Sequence, residues 1–273
     1  IGRNSDRLRR FVDRGAEAAV GNVKDTAFLT RAFDGADGVF AMIPPDLTTR
    51  DLRDYQGEIG ASLATAIQKA GVGHVVSLSS QGADLPSGTG PIMGLRDQEE
   101  RLNRLKGTHI VHLRPTYFME NLLMQIPLIN RLGVAASAIR GDVAFAMVAT
   151  RDIGACVAER LVKRDFTGTS TWDLLGQRDI SLDEAFSIVG SAIARPGLKY
   201  VRLSYDEAAT GMREMGVSTD VARLFVEMSR ALNEGRFSVG RPRTPKNTTP
   251  TSIEEFSTTF AEAFAASTLR AAA

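Results

Sequence analysis

At 273 residues, 43% hydrophobic and 24% charged, the chain has the makeup of a folded protein with room for one α/β domain or a domain plus a lobe. Its 33 Lys and Arg against 32 Asp and Glu leave a net charge of +1, which argues against nucleic acid or an anionic membrane as a partner. A single cysteine, Cys156, excludes an intrachain disulfide, and three histidines leave little for a metal site. The absence of an 18-residue apolar run, a secretory signal or a lipidation motif sets the expectation of a soluble, cytoplasmic protein.

In chain order, residues 16–20 read as a short strand, and Asp25 to Phe33 as a helix with Phe28, Leu29, Ala32 and Phe33 on one face. Gly38 to Ile43 is an apolar strand stopped by Pro44 and Pro45. Asp51 to Ala70 follows as a helix whose stripe includes Ile59, Leu63, Ala66 and Ile67, with Gly71 as its stop. Next come a strand from His74 to Leu78, a helix from about Arg96 to Leu105 and a strand from Thr108 to Leu113. Strands that are apolar throughout and separated by helices predict an α/β fold with a parallel sheet covered on both faces.

After residue 150 the pattern becomes mainly helical. Asp152 to Val162 is a helix with Cys156 among its apolar positions, and Ser170 to Leu175 a strand carrying Trp172. Ser181 and Glu184 are spaced as a capping box opening a helix to about Ala194. Helices are also expected near Ser204 to Met215, Asp220 to Asn233 and Ser252 to Ala266, the last opened by Ser252 and Glu255. This divides the chain into residues 1–150 and a smaller, helix-rich lobe, 151–273, whose strand 170–175 returns to the main sheet.

The segment His112-Leu-Arg-Pro-Thr-Tyr-Phe-Met-Glu-Asn121 closes an apolar strand and turns polar at the sheet's carboxyl end, where open α/β sheets bind ligands. With Val75-Val-Ser-Leu-Ser-Ser80 it resembles the NmrA-like group of atypical short-chain dehydrogenase/reductase relatives. The resemblance continues through Ala149 to Gly154, Asp173 to Gly176 and Thr249 to Ser252. It implies a Rossmann-like doubly wound sheet, with residues 1–150 as an NAD(P)-binding domain and the lobe as the far wall of a substrate cleft. Such a fold begins with a strand, a glycine-rich turn and a helix, yet the sequence contains no G-x-G-x-x-G and Ile1-Gly2-Arg3 matches the end of the family's second strand. Because the first strand is central in the usual order, roughly 30 residues are expected to precede Ile1 in the natural protein, the alternative being a truncated gene product without its pyrophosphate site. Either way, an open slot or a further segment is expected between the strand reaching Ile1 and the strand Val39 to Ile43.

The resemblance also assigns a cofactor site. Arg3 stands where the family meets the 2′-phosphate of NADP, which favours NADP over NAD; a solvated arginine is the plainer alternative. Asn22 and Asp25 fall in the adenine-side loop, although Asp25 also suits a helix N-cap. Ile43 and Pro44 would pass beneath the ribose or simply make a turn. Ser79, Ser80 and Phe118 would adjoin the nicotinamide or substrate. The Tyr-x-x-x-Lys pair of common short-chain dehydrogenases is missing, since Tyr55, Tyr117, Tyr200 and Tyr205 are followed four residues on by Ile59, Asn121, Ser204 and Ala209. This leaves Tyr117 as a proton donor, Arg96 to orient an oxyanion and Asn121 to position substrate. Against them stands a network of Arg114, Glu120 and Asn121 that merely holds the loop. Ser79, Arg96, Tyr117, Phe118 and Asn121 are expected to face one cleft. The sequence has no G-x-S-x-G elbow, and none of its six lysines follows a glycine, which excludes a P-loop. Two functions fit: an NAD(P)H-dependent oxidoreductase acting on a quinone-like or conjugated-carbonyl small molecule, or a non-catalytic NAD(P) sensor that acts on a regulatory protein partner.

Overall fold

The computed structural model describes residues 1–237 and 242–272. Residues 238–241 and 273 of the expected lobe lie outside the described residues. In chain order the first part comprises α1 (Ser5–Val12), α2 (Thr26–Ala32), β1 (Gly38–Ala41), α3 (Leu52–Ala70), β2 (His74–Leu78), α4 (Ile92–Leu102) and β3 (His109–Pro115). Then come β4 (Tyr117–Phe118), a 3-10 segment (Met119–Gln125), α5 (Ile126–Leu132), β5 (Val134–Ser137), β6 (Phe145–Val148), α6 (Thr150–Lys163) and β7 (Thr169–Leu174). The chain closes with β8 (Asp179–Ile180), α7 (Leu182–Ala192), β9 (Lys199–Arg202), α8 (Tyr205–Glu214), α9 (Thr219–Asn233) and α10 (Ile253–Ala272).

The main sheet is parallel in the order β1-β2-β3-β7, with Val75 opposite Val39 and Ile110, and Leu113 opposite Trp172. Alternation along each strand divides its apolar residues between two layers. Val39, Ala41, Val75 and Ile110 pack on α2, α3 and α4 through Leu29, Ile59, Leu63, Ile67 and Leu102. Val76, Val111 and Leu113 pack on Ile153 and Val157 of α6. The α3 stripe forms because Asp51 accepts the Asp54 N–H at one end and Gly71 takes the left-handed conformation at the other. Complete burial of Ile59 and Ile67 then contributes about 1.5–3 kcal/mol each.

The expected strand at residues 16–20 reduces to one parallel bridge, Val20 with Gly2. Gly2 N–H donates to Ala19 O (3.1 Å) and Gly21 N–H to Gly2 O (3.0 Å). That pair does not join β1, whose only ladder partner among the described residues is β2.

A second core lies beyond β3. Met119, Leu122 and Ile129 gather with Phe145, Met147, Phe186, Val189 and the α10 residues Phe256 and Phe260. The division at residue 150 therefore does not follow the packing: β4 to β6 belong with the lobe, while α6 and β7 cover and extend the main sheet. The capping box at Ser181 is also half made. Ser181 Oγ accepts the Glu184 N–H (3.2 Å), but the Glu184 carboxylate turns to Arg178 (2.9 Å), which also binds Glu254 of α10. The box at Ser252 and Glu255 is complete in both directions, at 2.9 and 3.1 Å.

Candidate cofactor and substrate edge

The carboxyl ends of β1 and β2 run into residues 42–51 and 79–91, and both segments are held by α9. At the start of α9, Ser218 N–H donates to Leu47 O (2.9 Å), and the Asp220 carboxylate accepts the Leu52 N–H (3.0 Å), capping α3 from another part of the chain. That bond holds the Asp220 carboxyl below the usual carboxylate range. Further along, a Cβ on Gly90 would collide with the Leu224 carbonyl, so the loop backbone lies directly against the helix backbone. Gly90 also has φ +57, in the region that favours glycine. Just past α9, Arg236 donates to Ser87 O (2.7 Å), and the Phe237 ring lies where a Gly82 side chain would stand. At its carboxyl end Asn233 binds Ala138 O (2.9 Å) and the Arg140 N–H (2.8 Å). Helix α9 is thus a roof over the carboxyl edge, pinned to both βα loops and to the lobe.

Beneath this edge lies a buried polar strut. Glu99 of α4 receives Ser79 Oγ (2.5 Å) and a bidentate pair from Arg114 (2.9 and 2.6 Å). Burial pushes the Glu99 carboxyl up, but the Arg114 and Ser79 hydrogen bonds more than offset it and hold the group below its ordinary value. The same bonds raise Arg114. Alongside, His112 Nε2 meets Asn103 Oδ1 at 2.8 Å, and burial lowers the imidazole's pKa, leaving a neutral ring. The strut ties the ends of β2 and β3 to α4.

Several expected site residues have other employment. Ser79 points into the strut and away from the edge. Arg96 donates to Asp84 O (3.0 Å) and Ala83 O (3.4 Å) and pairs with Glu100 (3.1 Å), so it braces the loop after β2. Tyr117 and Phe118 do not share a cleft. In a two-residue strand they face opposite sides: Tyr117 packs edge-on to Phe145 in the lobe core at 5.3 Å, and Phe118 joins the α6 layer. Burial raises the Tyr117 phenol above its ordinary value, the wrong direction for a proton shuttle at neutral pH. Glu120 takes Thr150 N (3.0 Å) and Thr150 Oγ1 (2.5 Å), capping α6, whose own N-cap Ala149 cannot. Asp25 caps α2 through Phe28 N (3.0 Å), and Asn22 Oδ1 accepts the Lys24 N–H (3.0 Å). Asn121 is half-buried beside the edge-forming segment, with no side-chain hydrogen bond among the described residues.

At the β1 end, Ile43 is half-buried against the α3 layer and Pro44 O accepts Tyr55 OH (3.1 Å). Arg3 is exposed and makes no ion pair among the described residues, yet its charge reaches both Asp46 and Tyr55. Lys24 lies 5.0 Å over the Tyr55 ring. The Lys24 ammonium is paired with Glu58 (2.5 Å), so Arg3 is the cation of this corner that has no ion pair among the described residues. Ser80, half-buried, donates to Gln81 O (3.0 Å) at the turn leaving β2. Ile43, Pro44 and Ser80 thus lie just past the carboxyl ends of β1 and β2; none of the described residues forms a glycine-rich pyrophosphate turn between a strand and a helix. The helix near Asp220 to Asn233 is expected from the sequence; what the sequence does not show are its individual anchors, Asp220 within α9 and Arg236 and Phe237 just past it, which carry no motif.

No helix among the described residues is long and apolar enough to cross a membrane, and none of their His, Cys, Asp and Glu side chains cluster to hold a metal. A profile of the NmrA-like family matches residues 2–256. The chain is 30% identical over 260 residues to (4-alkanoyl-5-oxo-2,5-dihydrofuran-3-yl)methyl phosphate reductase of Streptomyces griseus subsp. griseus, covering 92% of this chain and 85% of that one. It is 27% identical over 230 residues to an NAD(P)H azoreductase of Xenophilus azovorans, covering 83% and 75%. Its fold is shared by a crystal structure of an NADPH-dependent quinone oxidoreductase of Escherichia coli complexed with NADPH, at a TM-score of 0.76, 19% identity and coverage of 97% and 88%.

Proposed function

Because the chain belongs to the NmrA-like family, we propose that it is an NAD(P)H-dependent oxidoreductase that reduces a quinone-like or conjugated-carbonyl small molecule at the carboxyl edge beneath α9. The observation that carries this reading is the roof itself. A helix pinned through Leu47, Leu52 and Gly90 covers the loops that leave β1 and β2, and reduction by a nicotinamide benefits from such cover. The relative that is 30% identical supports the acceptor class, since its name describes a ring carbonyl conjugated to a carbon–carbon double bond.

When bound, the dinucleotide supplies the hydride, so the chain has little covalent chemistry of its own to perform. Arg3 would hold the 2′-phosphate and set a preference for NADP. Ile43 and Pro44 would underlie the ribose, and Ser80 and Asn121 would position the nicotinamide and acceptor. The strut of Glu99 and Arg114 fixes the strand ends on which Ser80 sits. With the Tyr117 phenol directed into the lobe, the proton that completes the reduction comes from water.

The competing reading, a dinucleotide sensor with a regulatory protein partner, draws on the same position of Tyr117 and on the missing Tyr-x-x-x-Lys pair. The deciding experiment is NADPH oxidation by the purified protein against a panel of quinones, enones and azo dyes. Sustained turnover well above the enzyme concentration is expected. Dinucleotide binding without turnover on any acceptor would overturn the reductase reading in favour of the sensor.

A further inference from the structure

We propose that a cavity on the outer flank of the main sheet binds a small organic carboxylate, at a site distinct from the dinucleotide edge and independent of the reductase reading. The cavity, about 560 Å³, opens between α6, β7 and residues 246–250. Its volume falls in the range of small-molecule sites.

Two polar groups on its wall lack partners among the described residues. Thr249, only 7% exposed, leaves Oγ1 without a hydrogen bond, and Arg160 leaves its buried Nε–H unused. Buried polar groups are rarely left so, and here two share one cavity. The Arg160 guanidinium is held in place, stacked 3.9 Å from the Trp172 ring centroid with Nη1 bound to Asp165 at 3.0 Å. The Cys156 thiol, on the same wall, is a further polar side chain beside it.

The charges around the cavity favour an anion. Asp152 is occupied by Thr251 N (3.0 Å) and Thr251 Oγ1 (2.7 Å), and Glu159 by Lys163 (2.6 Å). Lys246 is exposed and makes no ion pair among the described residues. The groups without a hydrogen bond or ion pair are thus an N–H, a hydroxyl and an ammonium, and each is a donor that an oxyanion would take. Trp172, Leu174 and Pro250 line the rest and suit a flat apolar body. A carboxylate matches better than a phosphate, whose second charge would face Asp152 and Glu159.

Trp172 is the only tryptophan, so its fluorescence reports on this cavity alone. Titration of the full chain with sodium benzoate should give a saturable change in emission, and neither benzyl alcohol nor inorganic phosphate should reproduce it. Thr249→Val should weaken benzoate roughly fivefold, as loss of one hydrogen bond does. Lys246→Gln, at an exposed position that leaves folding intact, should also weaken it. Saturating NADPH should leave the titration unchanged. A linear response, which is what water alone in the cavity would give, overturns the proposal. So does an equal response to benzyl alcohol or phosphate, an unaltered affinity in Lys246→Gln, or displacement of benzoate by NADPH.

Discussion

Replacing Glu99 by Gln tests the strut most directly. The Glu99 and Arg114 side chains are 7% and 12% exposed, so the substitution leaves a buried guanidinium whose nearest remaining ion-pair partner is the more distant Asp84, at 3.8 Å. Removing one partner of a buried ion pair costs about 3–5 kcal/mol, most of it the stranded charge and not the lost attraction. At about 2–4 °C per kcal/mol for a chain of this size class, that is a fall in Tm of roughly 6–20 °C in a thermal melt. Replacing both partners, Glu99→Leu with Arg114→Met, should restore more than half of the loss, the remainder being about 1–2 kcal/mol for a Ser79 hydroxyl without its acceptor. The pH dependence has a defined sign. The folded carboxyl titrates below its unfolded value of 4.5, so its contribution is fully present above that pH and is lost as the pH falls through the lower, folded value. Wild-type stability should therefore fall more steeply with acid than that of Glu99→Gln. A single variant costing under about 1 kcal/mol in urea unfolding, or a double variant no more stable than Glu99→Gln, would refute the reasoning.

Arg3→Glu should weaken NADPH by about 1.5 kcal/mol or more in a binding titration while leaving NADH little changed; equal losses would remove its role in cofactor choice. Tyr117→Phe should keep turnover within about twofold, because the phenol lies in the lobe core, and a tenfold loss would restore it as proton donor. Gly90→Ala places a methyl group against the Leu224 carbonyl at a left-handed backbone position. It should cost about 1–3 kcal/mol in urea unfolding and raise KM for the acceptor; unchanged stability would show that the roof gives way easily. Glu120→Ala should cost about 1 kcal/mol through loss of the α6 cap, with no change in dinucleotide affinity.

The main sheet was legible because its strands are continuous apolar runs and its helices carry long stripes. Residues Ile59 to Ile67 with Gly71 defined α3 to within one residue at its start. Residues 117–148 were not, because strands of two to four residues are too short to show a period. Within the site, residue type was informative and direction was not. Ser79 and Ser80 look alike in sequence, but the pleat sends Ser79 into the strut with Glu99. Asp25 was legible as a cap from its place before an apolar stripe, whereas Asp220 caps a helix 168 positions earlier, a pairing no local pattern encodes.

That separation of 168 positions also bears on the order of assembly. Contacts so distant in sequence form late, and at 5–20 residues per second a ribosome takes roughly 10–30 s to deliver Asp220 after Leu52. During that interval the loops after β1 and β2 have no helix above them, and α3 has its own Asp51 cap without the second one. The nascent chain is thus a sheet with its carboxyl edge uncovered, and docking of α9 is the step that pins the loops after β1 and β2. A bound dinucleotide that orders the loop bearing Leu47, just ahead of Leu52 at the start of α3, would prepare the seat on which α9 docks, so cofactor supply during synthesis would hasten the last stage of folding.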